Sequence, residues 1–160
     1  MGNDVTANGI NMEAMIQRIR QHPFFAGFPA QFLPVLASCA MPVEFEKGQL
    51  IFDVGDLANR FYLLEQGKVR LGAEGKDGET VVLQTLEPGQ VLGWSWLFPP
   101  HYWRFSAEAI EPVQAVFLYG TRLRELAEAD PVFGYPLLKR VAQVVIERLQ
   151  DARRRLVERA

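Results

Sequence analysis

One cysteine and two histidines in 160 residues leave little material for covalent cross-links or metal chemistry. Cys39 has no partner within the chain, so an internal disulfide and a cysteine-based zinc or iron–sulfur framework are both excluded, and a reducing cytoplasmic setting is expected. Metal enzymes need clustered imidazoles and carboxylates. His22 and His101 do not form a ligand pair by spacing, so no metal site is expected. No nucleophile motif is present either, and the expectation is a protein that is not an enzyme. Long apolar runs are also missing. The longest, Phe32 to Val43, is broken by Pro34, Ser38 and Pro42 and is too short to span a bilayer. The first residues lack the basic start and apolar stretch of a secretory signal. Residues 1–10 are small and polar and are expected to be a flexible tail; Gly2 and Thr6 fit a loose myristoylation pattern that a short segment meets easily by chance.

What is there reads as one ordinary globular domain. Hydrophobic residues make up 49% and charged residues 22%, enough apolar material for a core without metal or disulfide support. The net charge of −2 is unevenly spread. From Pro131 onward seven basic and three acidic residues give +4, so the preceding part carries −6.

Along the chain, Asn11 can cap a short helix whose Met12, Met15, Ile16 and Ile19 recur at helical spacing. His22-Pro23 ends it, because the residue before proline is pushed out of helical dihedrals. A second helical stretch, 30–40, places Phe32, Leu33, Leu36 and Ala37 on one face. From Met41 short apolar runs alternate with single glycines at 48, 55, 67, 75, 78, 89 and 93. The strand-like segments are 50–52, 60–64, 68–73, 80–86 and 113–119, and short strands punctuated by turn residues argue for a sandwich or barrel. Asp53, Asp56 and Glu65 are expected as surface or turn carboxylates, with Asp56 able to brace a turn through its side chain. Helical patterning returns at 122–129 and then from about Leu137 to the end. The expected organisation is α+β, a single domain over 11–160 with helices over 11–40, a β unit over 41–119 and helices over 120–160.

In the last helix, Leu138, Ala142, Val145, Leu149, Ala152 and Leu156 alternate at steps of four and three. That is a heptad seam, which can pair two copies or pack on the chain's own β unit. Arg153-Arg154-Arg155 fits a solvated helix C-terminus, where the macrodipole favours cations.

The glycine-spaced β region resembles the cyclic nucleotide-binding domain family. The residues that carry the resemblance are Gly48-Gln49-Leu50-Ile51-Phe52, Gly55-Asp56, and Phe61-Tyr62-Leu63-Leu64-Glu65-Gln66-Gly67-Lys68-Val69. His22-Pro23-Phe24-Phe25 resembles the family's N-terminal helical entry, and the final helix its C-terminal helix, which in the catabolite-activator type pairs two subunits. The resemblance covers roughly residues 20–155. It implies a β jelly roll (a double-stranded β-helix) flanked by N-terminal helices and a long C-terminal helix.

In that family a Gly-Glu pair opens a short helix whose backbone N–H groups face the cyclic phosphate, the glutamate holds the ribose hydroxyl, and a later arginine neutralises the phosphate. Helix N-termini and arginines suit that work physically. Here Gly93 and Leu97 match the pattern, but Trp94 stands where the glutamate belongs, and an indole cannot accept a hydrogen bond from a sugar hydroxyl. Counted forward from Gly93, Arg104 takes the arginine's place. Counted back from Ala107 and Ala109, Trp103 takes it instead, and one residue of shift on a strand moves a side chain to the opposite face. The stretch Gly93, Trp94, Ser95, Trp96, Leu97, Trp103, Arg104, Phe105 and Ser106 is therefore the candidate pocket. It holds all three tryptophans of the chain. Its rings could fill the pocket, line it for a different ligand with Ser95 and Arg104 as polar groups, or form an exposed patch for a protein.

The expectation is a non-catalytic regulatory or interaction module that does not bind cyclic AMP or cyclic GMP through the usual Glu/Arg pair. The alternative is a sensor of a cyclic nucleotide or another anionic or aromatic ligand, using Arg104 and backbone donors near Gly93. No cofactor is expected beyond that open question of a cyclic nucleotide. The expected partners are a second copy, through the final helix, and a separate protein. Direct DNA binding is not expected, because no helix-turn-helix follows the final helix.

Overall fold

The computed structural model describes residues 11–159; the expected tail and the myristoylation pattern lie outside the described residues. Helix α1 (Met12–Gln21) begins at Asn11, whose side-chain oxygen accepts from the Glu13 and Ala14 amides at 2.7 and 3.3 Å. Two 3-10 turns, Pro23–Phe25 and Ala30–Phe32, lead to the short α2 (Leu33–Ser38). The expected helix over 30–40 is thus divided: Pro34 is accommodated in the first turn of α2, and the chain is already extended at Ala40.

Eight strands follow: β1 (Ala40–Phe45), β2 (Leu50–Phe52), β3 (Arg60–Gln66), β4 (Val69–Glu74), β5 (Thr80–Leu86), β6 (Val91–Leu92), β7 (Ser106–Ala109) and β8 (Val113–Tyr119). They form two antiparallel four-stranded sheets, ordered β1-β8-β3-β6 and β2-β7-β4-β5, the jelly roll the sequence pointed to. Helix α3 (Gly120–Ala129) and the long α4 (Pro131–Glu158) complete the chain. Helix α4 starts six residues before the expected Leu137. Asp130 caps it by accepting from the Val132 amide at 3.0 Å, with Pro131 at the first helical position.

Two apolar cores result, and β3 and β8 contribute to both. Alternation along β3 sends Phe61 and Leu63 toward the helices and Tyr62 and Leu64 between the sheets. In β8, Val116 and Leu118 face the helices while Val113, Ala115 and Phe117 face the interior. Both strands are covered on two sides, which is why they read as continuous apolar runs. The helix-side core gathers Met15, Ile19, Phe25, Leu36, Leu123, Phe133, Leu137 and Val141 around that sheet.

His22 links the two layers. Its Nδ1 accepts from the Phe24 amide at 3.2 Å, so the neutral ring carries its proton on Nε2 and donates to the Leu64 carbonyl at 3.0 Å. Glu65, expected at the surface, is half-buried and paired with Arg18 of α1. Asp56 does brace a turn, accepting from the Asp53 amide at 3.0 Å.

Candidate functional site

The candidate pocket begins where β6 runs into Gly93, at φ +90°. The chain makes a single turn at Ser95–Leu97, closed by the Leu97 amide on the Trp94 carbonyl at 3.0 Å.

The three tryptophans part company here. Trp96 is wholly buried in the helix-side core beside Phe61, and its Nε1 donates to the Gly93 carbonyl at 3.2 Å. A Cβ on Gly120 would lie 2.5 Å from the Trp96 Cβ, so α3 can start against the tryptophan only because that residue is glycine. Arg124 closes the arrangement by donating to the Trp96 carbonyl at 2.6 Å.

Trp103 goes the other way, into the jelly-roll interior, and is 4% exposed. Its indole stacks on Phe52 with centroids 3.9 Å apart and planes inclined by 7°. The far edge of the ring lies against Gly93, where an added Cβ would meet Cη2 at 2.4 Å. The backbone locks this placement: the Trp103 amide donates to the Asp56 carbonyl, and its carbonyl accepts from Gly55, both at 2.9 Å.

Arg104 lies in the bend that leads into β7. It is exposed and joins none of the ion pairs among the described residues. Phe105 is half-buried at the margin of the interior core, and the Ser106 hydroxyl donates to the Gly72 carbonyl at 3.3 Å. Ser95 is buried, Leu97 packs against the helix-side core, and Phe98 and Tyr102 remain exposed. His101 sits at φ +63° with Nε2 buried and without a partner.

Trp94, at the glutamate's position, is half-buried and faces Arg148 of α4, whose guanidinium lies 5.0 Å from the ring centroid. Arg148 also donates through Nη2 to the Val91 carbonyl, while its Nη1 is buried with no partner. Burial pulls the Arg148 pKa down to about 10, against the opposing fields of Glu147 and Asp151. Arg148 was not among the sequence candidates. The available signal was phase: Leu137, Val141, Val144 and Arg148 fall on one stripe, so the arginine occupies a core position.

The heptad seam lies on another face of α4. Leu138, Ala142, Leu149, Ala152 and Leu156 are exposed, while Val145 is half-buried and packs against the helix-side core. Among the described residues no helix is long and apolar enough to cross a membrane.

Comparison with known proteins places this geometry. The sequence pattern of the cyclic nucleotide-binding domain matches residues 42–130. The chain is 29% identical over 119 residues to the CRP-like cAMP-activated global transcriptional regulator of Mycobacterium tuberculosis, covering 74% of this chain and 53% of that protein. It thus spans about half the length of that curated relative. A putative cyclic nucleotide-binding protein from Geobacter metallireducens is 33% identical with a TM-score of 0.75, covering 83% of this chain and 96% of that one. The regulatory subunit of a cAMP-independent protein kinase A from Trypanosoma brucei, 24% identical with a TM-score of 0.68 over 82% of this chain and 47% of that one, shares the fold. The match over more than half of its length, on a jelly roll of the same architecture, makes this chain a member of the cyclic nucleotide-binding domain family.

Proposed function

We propose that this domain is a non-catalytic regulatory module whose nucleotide pocket is filled by its own aromatic side chains. The carrying observation is the Trp103 ring lying between Phe52 and Gly93, against the glycine that opens the family's phosphate site. Trp94 supplies no acceptor for a ribose hydroxyl, and Arg104 points to solvent. A cyclic nucleotide entering here would have to displace a stacked, fully desolvated indole and leave its phosphate without an arginine. Each requirement costs several kcal/mol.

The Mycobacterium tuberculosis relative is a transcriptional regulator, and among proteins of this fold one kinase regulatory subunit is described as cAMP-independent. Output then has to pass through surfaces. The exposed seam of α4 fits a parallel pair of copies, and Phe98, Tyr102 and Arg104 leave polar and aromatic groups free for a separate protein partner. Buried Cys39 as the lone thiol is compatible with work in a reducing cytoplasm. Thermal unfolding of the full chain with cyclic AMP or cyclic GMP tests the reading. No change in Tm is expected, and a saturable rise of several degrees with either nucleotide would overturn it.

A further inference from the structure

Tyr135, in the second turn of α4, is 64% exposed. With Leu138 it borders a groove of about 330 Å³ between α3 and the start of α4, lined also by Leu97, Ala127, Pro131 and Gly134. The polar lining is Glu128, which is exposed, and Arg124, which is held on the Trp96 carbonyl at 2.6 Å. Gly134 leaves the groove open because it has no side chain, and a Cβ there would collide with the Ala127 carbonyl oxygen.

This groove is in phase with the seam. Counting back from Leu138 by three and then four residues reaches Tyr135 and Pro131, so the alternation of steps runs from the first residue of α4 to Leu156. In a parallel pair of such helices each seam side chain enters a hole made by four residues of the facing helix. For Tyr135 of a second copy in register, those four are Pro131, Gly134, Tyr135 and Leu138, and all four line the groove. Leu97 and Ala127 deepen the hole beyond what α4 alone provides. The exposed area also fits a second copy. Tyr135, Leu138, Ile146, Leu149 and Leu156 present on the order of 600 Å² of surface per chain, against the roughly 800 Å² per partner of a standard stable interface. Ala142, Ala152 and the groove walls add to it.

Given the α4 pairing proposed above, on which this contact rests, we infer that the partner's Tyr135 seats in this groove and that Tyr135 of this chain seats in the partner's. Leu97 closes the turn at Ser95–Leu97, so the phenol of one copy touches the cassette of the other. Self-association and the shape of that turn are thereby linked, each favouring the form of the other that suits it.

The test is tyrosine nitration of the full chain by tetranitromethane, read peptide by peptide by mass spectrometry, with Leu149→Glu at the same concentration as the monomeric reference. Tyr135 is expected to react several-fold more slowly in the parent than in the reference, while the exposed Tyr102 and Tyr119 react equally in both. Leu97→Ser alters the groove without touching α4, and Tyr135→Ala removes its occupant. Each is expected to weaken the dimer at least about tenfold in sedimentation equilibrium. Tyr135→Ala keeps the comparison sound if Leu97→Ser disturbs packing, because Tyr135 is exposed in the single chain. Ala152→Cys is expected to cross-link a parallel pair through a disulfide. A parent dimer whose Tyr135 reacts as fast as in Leu149→Glu, or whose affinity survives both the Leu97 and the Tyr135 change, overturns the groove contact and leaves the seam pairing standing. A pair that Ala152→Cys fails to cross-link, a dimer that Leu149→Glu leaves intact, or a parent that is monomeric at high concentration removes the parallel α4 pairing and the groove contact with it.

Discussion

Trp103 lies face to face with Phe52, ring centroids 3.9 Å apart and planes 7° from parallel, and the same indole closes over Gly93. One side chain thereby does two things: it completes the interior core and it takes up the room beside the glycine where an anion would be received. Trp103→Ala is expected to lose about 3–5 kcal/mol of stability, the range for deleting a buried tryptophan from a packed core. Urea unfolding monitored by circular dichroism measures it. A loss under about 1 kcal/mol would mean that the ring is not a packing element.

The paired change Trp94→Glu with Trp103→Arg restores the two side chains of the family's reader. The new arginine is buried without a counter-charge, so the variant is expected to be less stable than the parent by several kcal/mol. Cyclic AMP should recover part of that loss by binding only the folded state. The check is the Tm of the variant with and without the nucleotide, and an unchanged Tm would show that the turn at Ser95–Leu97 also lacks the donors for a phosphate.

Gly93 is constrained from two sides, by φ +90° and by the indole 2.4 Å from an added Cβ. Gly93→Ala is expected to cost about 2–4 kcal/mol, combining left-handed backbone strain with overpacking. Its destabilisation should shrink in the Trp103→Ala background, because part of it is collision with the ring. A double-mutant cycle by urea unfolding reads the coupling directly.

His22 sets a pH dependence. Burial holds its pKa below the usual imidazole value, opposed by its hydrogen bond to the Leu64 carbonyl. The unfolded chain therefore takes up a proton first as pH falls. Stability is complete above about pH 6.5 and declines below it until the folded pKa is passed. Denaturant midpoints between about pH 7.5 and 5.5 should fall, and His22→Gln should flatten that slope while lowering stability throughout.

The α4 seam predicts its own variant. Leu149 and Leu156 are 49% and 73% exposed in the single chain. Leu149→Glu places charge in the middle of the proposed pairing face and is expected to convert a dimer to a monomer with unchanged helical content. Light scattering at several concentrations reads it, and a parent chain that is already monomeric at high concentration would remove the pairing proposal.

Much of the fold was legible because its signals were local. Asn11 caps α1, the glycines punctuate strands, and the double-sided burial of β3 left an unbroken apolar run from Phe61 to Leu64. Strands β1 and β6 gave weaker signals, β1 because Pro42 interrupts it and β6 because it is two residues long. The site was legible only in part. That Trp94, Trp96 and Trp103 matter could be read from their clustering, yet they enter three different environments because the turn at Ser95–Leu97 and the irregular segment before β7 aim their side chains apart. The ambiguity between Trp103 and Arg104 rested on loop length, which sequence patterning does not fix. The backbone bonds of Trp103 to Gly55 and Asp56 do fix it. Arg148 escaped notice because its meaning comes from contacts with residues more than fifty positions away.

The most direct test of the central claim is isothermal titration of the parent chain with cyclic AMP, run alongside Arg104→Ala. With Trp103 filling the space against Gly93 and Arg104 in solvent, no saturable heat is expected from either protein. A micromolar Kd for the parent that disappears in Arg104→Ala would contradict the account, for it would require the indole to leave and the arginine to turn inward.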